Sequence, residues 1–202
     1  PGYITHFTTF WRNVMMPEVN ADFQVRFLVP SFDSWLRKQL TENTQYDALV
    51  KEILTTPLDS GQNNRRNPYQ RLGEASPLAF FQAKQIAPEN LASATSRIFL
   101  GIRIECAQCH DHPFDTWKQE HFWSLAAFYG GIERQGNQGI FGRVRELSDR
   151  RELNIPDTET VVQAGYLDGT EPQWRFRVGA RTTLAGRSEE RRVGKECRSR
   201  WS

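Results

Sequence analysis

Three residues of this 202-residue chain have the types and the spacing to hold a prosthetic group. Cys106 and Cys109 stand three positions apart, and His110 follows at once, in Cys106-Ala107-Gln108-Cys109-His110. Thiols one helical turn or tight loop apart can form thioethers to the two vinyl groups of one haem. The adjacent imidazole can then turn a ring nitrogen onto the iron. Haem c is therefore the first expected cofactor, with Cys106, Cys109 and His110 as its binding residues and His110 as the iron ligand. Electron transfer is the first expected function. Haem also needs an apolar wall. Phe99, Phe114, Trp117, Phe122, Trp123, Phe128 and Tyr129 would supply one, although an ordinary core has the same composition.

A sixth iron ligand is harder to name. The two methionines are Met15 and Met16, and Met15 lies on an apolar stripe where core packing is the plainer role. His121 is expected on the inward face of its helix, with Trp117 and Leu125. His112 is too near His110 to reach the opposite face of one haem easily, and His6 is expected to be structural or solvated.

Two other chemistries use the same cysteines. Cys106, Cys109, His112 and His121 form a two-thiolate, two-imidazole set that tetrahedral zinc accepts, although the last spacing is unusual. A disulfide between Cys106 and Cys109 is the other. Either would staple the fold of a non-catalytic structural or binding domain. Asp111 and Asp115 beside the pair could act as acid or base, but a hydrogen bond to a ligating histidine is the plainer role. No nucleophile elbow, P-loop or dinucleotide-binding glycine motif is present, so no enzyme class is assigned.

The elements that must position this loop read as mainly α, an irregular helical domain followed by a short β-containing C-terminal segment. Phe7, Phe10, Trp11, Val14 and Met15 recur at helical spacing up to Pro17. Phe32, Trp35, Leu36 and Leu40 repeat the pattern behind Ser31 as an expected N-cap. Tyr46, Leu49, Val50, Ile53 and Leu54 form a third stripe that stops before Pro57. A long loop is expected over 57–76 and a short helix over 77–85. Pro88 suits the first turn of the next helix, with Glu89 near its positive end. That helix is expected to carry Leu91, Thr95, Ile98 and Ile102 on one side and run on to Cys106. Thr116 and Gln119 have capping-box spacing for a helix that Gly130-Gly131 ends. Trp174, Phe176 and Val178 alternate with arginines, which predicts a half-buried strand.

Residues 187–202 match the translation of a sequencing adapter, so they are expected to be an unstructured scar and are set aside from the fold. Without them the chain carries 20 basic and 21 acidic residues, a formal net charge of −1 instead of +2. The basic character disappears, and with it the electrostatic case for nucleic acid. No apolar run approaches the roughly 20 residues of a membrane span. The expected organisation is a helical domain over 1–131, a β or irregular segment over 132–186, and the scar.

The run Phe99-Leu100-Gly101-Ile102-Arg103-Ile104-Glu105-Cys106-Ala107-Gln108-Cys109-His110-Asp111-His112-Pro113-Phe114-Asp115 resembles the planctomycete cytochrome-c-associated domain of unknown function. Trp117 and Leu125-Ala126-Ala127-Phe128 downstream share the resemblance, as do Trp35-Leu36-Arg37 and Tyr46-Asp47-Ala48-Leu49-Val50 upstream. It spans roughly residues 5–130. The resemblance implies a piece of a large exported bacterial protein, periplasmic or beyond. Its partners would be the other domains of the same parent chain, a cytochrome-c-like one before it and a second domain of unknown function after it, together with a redox partner. It also implies that Cys106, Cys109 and His110 match the family's proposed haem-binding motif, and that His112 and Asp115 match its extension. His121 departs from the family pattern.

Overall fold

The helices form where apolar spacing and breakers allow, and they share one core. The computed structural model describes residues 2–58, 74–135, 139 and 142–187. The order is α1 (Gly2–Met15), a 3-10 turn (Pro17–Asn20), α2 (Phe23–Arg26), α3 (Val29–Thr41), α4 (Tyr46–Thr55), α5 (Leu78–Ala83), α6 (Pro88–Thr95) and α7 (Gln119–Ala127). Two antiparallel hairpins follow. β1 (Ile132–Gln135) pairs with β2 (Arg143–Glu146), and β3 (Glu152–Asn154) pairs with β4 (Val161–Gln163). Residues 180–187 form a last helical stretch, α8. The molecule is thus mainly α with a short β segment, as the sequence predicts.

Phe32, Leu36, Ile53, Phe80, Phe81, Leu91, Phe122, Phe128 and Tyr129 are almost wholly buried in a single cluster. Each buried aromatic removes roughly 150–250 Å² from water, so these rings dominate the hydrophobic contribution. Tyr129 is also polar. Its hydroxyl lies 2.6 Å from the Thr95 hydroxyl, and burial raises its pKa well above the ordinary tyrosine value.

Several local expectations need correction. On α1 the fully buried residues are Thr8 and Met15, while Phe10 and Val14 of the apolar stripe reach solvent. Helix α3 begins two residues before Ser31, with Pro30 in its first turn. Ser31 is buried and its hydroxyl donates to the Glu74 carbonyl instead of capping. Helix α6 has Pro88 at its start but ends at Thr95. The chain then widens into a π turn (Ser96–Leu100) closed by Gly101 at φ +70°, a left-handed conformation that glycine adopts without a Cβ penalty. The predicted helix therefore does not run on to Cys106. Thr116 does not cap α7, which starts at Gln119. No strand forms over 174–178, because Trp174 packs on Phe128 at 6.1 Å and Arg151 covers its face at 4.2 Å. Arg177 turns the chain at φ +60°. The loop expected over 57–76 lies outside the described residues from 59 to 73, as does the expected scar from 188 onward. Arg187 closes α8 and pairs with Asp168 at 2.7 Å.

A buried lysine ties α5 to α1. Lys84 is 3% exposed, and its ammonium donates to the Met15 carbonyl at 2.8 Å and to both Glu18 carboxylate oxygens at 2.7 Å. Burial lowers its pKa below the ordinary 10.5, and Glu18 opposes that shift without cancelling it. Between the lowered folded value and 10.5 the unfolded chain binds more protons than the folded one, so this contribution to stability grows as pH rises. Urea unfolding of wild type and Lys84→Met, run in parallel from neutral pH to 10.5, is expected to show wild type gaining on the variant. A pH-independent difference would contradict it.

Candidate functional site

The Cys106–His110 segment is presented on the surface by two elements. The π turn and Gly101 redirect the chain from the core, and Ile104, 1% exposed, re-anchors it. A 3-10 turn (Glu105–Gln108) then buries Ala107 and turns both cysteines outward. Cys106 and Cys109 are free thiols and both are exposed. His110 is exposed beside them.

Helix α7 holds the loop from beneath. Trp123, 5% exposed, donates its indole N–H to the Gln108 carbonyl at 3.0 Å. The Gln119 amide donates to the same carbonyl at 3.3 Å and to that of Cys109 at 3.1 Å. The Asp111 carboxylate accepts the backbone N–H of Gln119 at 2.9 Å and so caps the first turn of α7 from eight residues upstream. Asp115 accepts from its neighbour Thr116, through the backbone N–H at 2.7 Å and the hydroxyl at 3.4 Å.

The three histidines near the cysteines all engage Nδ1, but they differ in whether that nitrogen donates or accepts. His110 Nδ1 lies 2.7 Å from the Asp111 carbonyl. A carbonyl only accepts, so this nitrogen carries the proton and the Nε2 lone pair is left available. His112 Nδ1 accepts from the Phe114 backbone N–H at 3.3 Å, and His121 Nδ1 accepts from that of Lys118 at 3.2 Å. Those two rings, when neutral, spend their lone pair locally and carry the proton on Nε2. His121 is exposed at the start of α7, edge-on to Trp117, and not on an inward face. Among the described residues no group of three or more His, Cys, Asp and Glu is gathered as a metal-ion site.

The expected aromatic wall divides. Phe122, Trp123, Phe128 and Tyr129 belong to the core, and Phe99 packs on Phe80 at 5.7 Å. Phe114 is 94% exposed and Trp117 is half-buried, both in the loop that follows His110. Met15 and Met16 are fully buried, as core packing requires. His6 is exposed. The donor set fits covalent haem: two accessible thiols and one imidazole with its outer nitrogen free. Of the expected apolar wall, Phe114 and Trp117 are the members that reach the surface beside the cysteines in sequence. Bound there, haem would supply one-electron redox chemistry.

The sequence does not mark Asp111, Gln119 and Trp123 as a set. Their signal was present in the i, i+4 spacing of Gln119 and Trp123 on one face of α7. Nothing in the sequence tells that this face meets the cysteine loop.

Among the described residues no helix is long and apolar enough to cross a membrane. The model of the family described as "PSCyt2: Protein of unknown function (DUF1549)" matches residues 1–134. No curated protein and no solved structure matches the chain.

Proposed function

This chain belongs to the PSCyt2 family, and from that premise we propose that Cys106–His110 is a covalent haem-attachment site in a module for electron transfer. The observation that carries the reading is the histidine pattern. In all three neighbouring histidines Nδ1 is the bonded nitrogen, but only in His110 does it meet a backbone carbonyl, so among the three the neutral ring of His110 alone keeps its lone pair on Nε2. Such a bond to the second nitrogen orients a metal-binding imidazole and raises its basicity. The same pattern favours haem over the zinc set, because His112 and His121 would each have to give up a hydrogen bond to present Nδ1, or change tautomer to present Nε2. The exposed thiols are placed for an attachment machinery to reach both sulfurs. Since that chemistry takes place outside the cytoplasm, the module is exported, and it works beside the other domains of a larger protein and a redox partner.

The test is to produce the full chain with an export signal alongside a c-type haem maturation system, denature it, and stain a gel for haem peroxidase activity. Wild type is expected to stain, and Cys106→Ala with Cys109→Ala is expected to be blank. Folded wild type that does not stain would overturn the assignment, and metal analysis with thiol titration would then separate zinc from a disulfide.

A further inference from the structure

We infer that Asp111, Gln119 and Trp123 are positioning residues that hold the Cys106–His110 loop in its receiving shape before any group is attached. The inference rests on the attachment reading for its purpose, and on geometry alone for its existence. An exposed 3-10 turn followed by a bend has little to fix it where the cysteine and His110 side chains are exposed. The backbone carbonyls of Gln108 and Cys109 are fixed instead, by three donor contacts from α7. The Asp111 side chain is bound in turn to the first backbone N–H of α7. Pinning that carboxylate places the carbonyl of the same residue, to which His110 Nδ1 donates.

Helix α7 thus reaches His110 through two links. Gln119 lies at its first position and Trp123 one turn on, so both side chains leave the same face toward the loop. Trp123 is held by the core, with its ring 5.4 Å from that of Phe122. The loop therefore inherits rigidity from a helix whose Phe122, Leu125, Ala126 and Ala127 are buried in the core. A preformed loop lowers the ordering cost of receiving a large ligand.

The test reads the tautomer of His110 in the haem-free full chain. Nitrogen-15 long-range correlation spectra, which show directly which ring nitrogen carries the proton, are recorded in mildly alkaline solution. Wild type is expected to show the proton on Nδ1. Asp111→Ala and Gln119→Ala are expected to move most of the population to the Nε2-protonated form that a free imidazole prefers. Asp111→Asn keeps an acceptor oxygen for the α7 N–H and is expected to retain the wild-type tautomer. A general loss of structure would not be rescued by that variant. Trp123→Phe keeps an aromatic ring in the core while removing the indole N–H and part of the ring volume, so it is read only where the variant remains folded. Nε2 protonation in wild type would overturn the inference, as would an unchanged tautomer in folded Asp111→Ala and Gln119→Ala. Because no haem is present, a failed attachment experiment leaves this result standing, and the reverse also holds.

Discussion

Arg181→Ala is expected to destabilise the chain by about 3 kcal/mol, at the lower end of what removing one partner of a buried ion pair costs. Arg181 is 3% exposed and meets four acceptors. Its Nε donates to Glu146 Oε1 at 2.9 Å, and its Nη2 pairs with the other oxygen of that carboxylate. Nη1 donates to the carbonyls of Leu54 at 2.8 Å and Thr56 at 3.1 Å, where α4 has run out of internal donors. The guanidinium also lies 5.1 Å over the Phe81 ring. One side chain thus joins α8, β2, the end of α4 and the core. The lower end of the range applies because the Glu146 side chain retains 23% exposure and water can partly recover it. Urea unfolding measures the effect. Arg181→Lys is expected to fall between, since an ammonium cannot reproduce the planar fork. A change below about 1 kcal/mol for alanine, the ordinary size for a surface pair, would contradict the account.

Gly131→Ala is expected to cost a similar amount, about 3 kcal/mol, for a steric reason. A Cβ at Gly131 would sit 2.3 Å from the Leu147 carbonyl oxygen, and backbone cannot move aside as a side-chain tip can. The same junction is bonded, since Leu147 N donates to the Gly131 carbonyl at 2.8 Å. Gly130→Ala is expected to cost less, about 1–2 kcal/mol, because its nearest backbone contact is 2.9 Å, to the Glu152 carbonyl. Thermal unfolding should rank the variants in that order. Equal stability of Gly131→Ala and wild type would mean that the hairpins do not pack this closely on the end of α7.

These contacts explain which parts of the molecule were legible in the sequence. Helical stripes and proline breakers are local, so α3, α4 and the start of α6 could be read directly from Phe32, Tyr46 and Pro88. The cysteine motif is local too. Exposure was not legible, because it depends on what packs opposite. The aromatic stripe of α1 is half outside, and His121 lies on the surface because the start of α7 is itself a surface feature. The Asp111 cap has no local signature, because its acceptor and donor are eight residues apart, beyond any capping-box pattern. The alternation over Trp174–Val178 suggested a strand, but a strand needs an edge to pair with. Among the described residues the hairpins pair within themselves, and Trp174 goes to the core side of Phe128 instead. The bonds of Arg181 to Leu54 and Thr56 span more than a hundred positions, and no periodicity encodes them.

The most direct measurement is the mass of the tryptic peptide Ile104–Lys118, from full chain exported with a c-type haem maturation system and digested under denaturing conditions. The account predicts that this peptide carries the mass of one haem, held by both thioethers, and that Cys106→Ala with Cys109→Ala removes it. A peptide from folded protein at its unmodified mass, or lighter by only the two hydrogens of a disulfide, would contradict it.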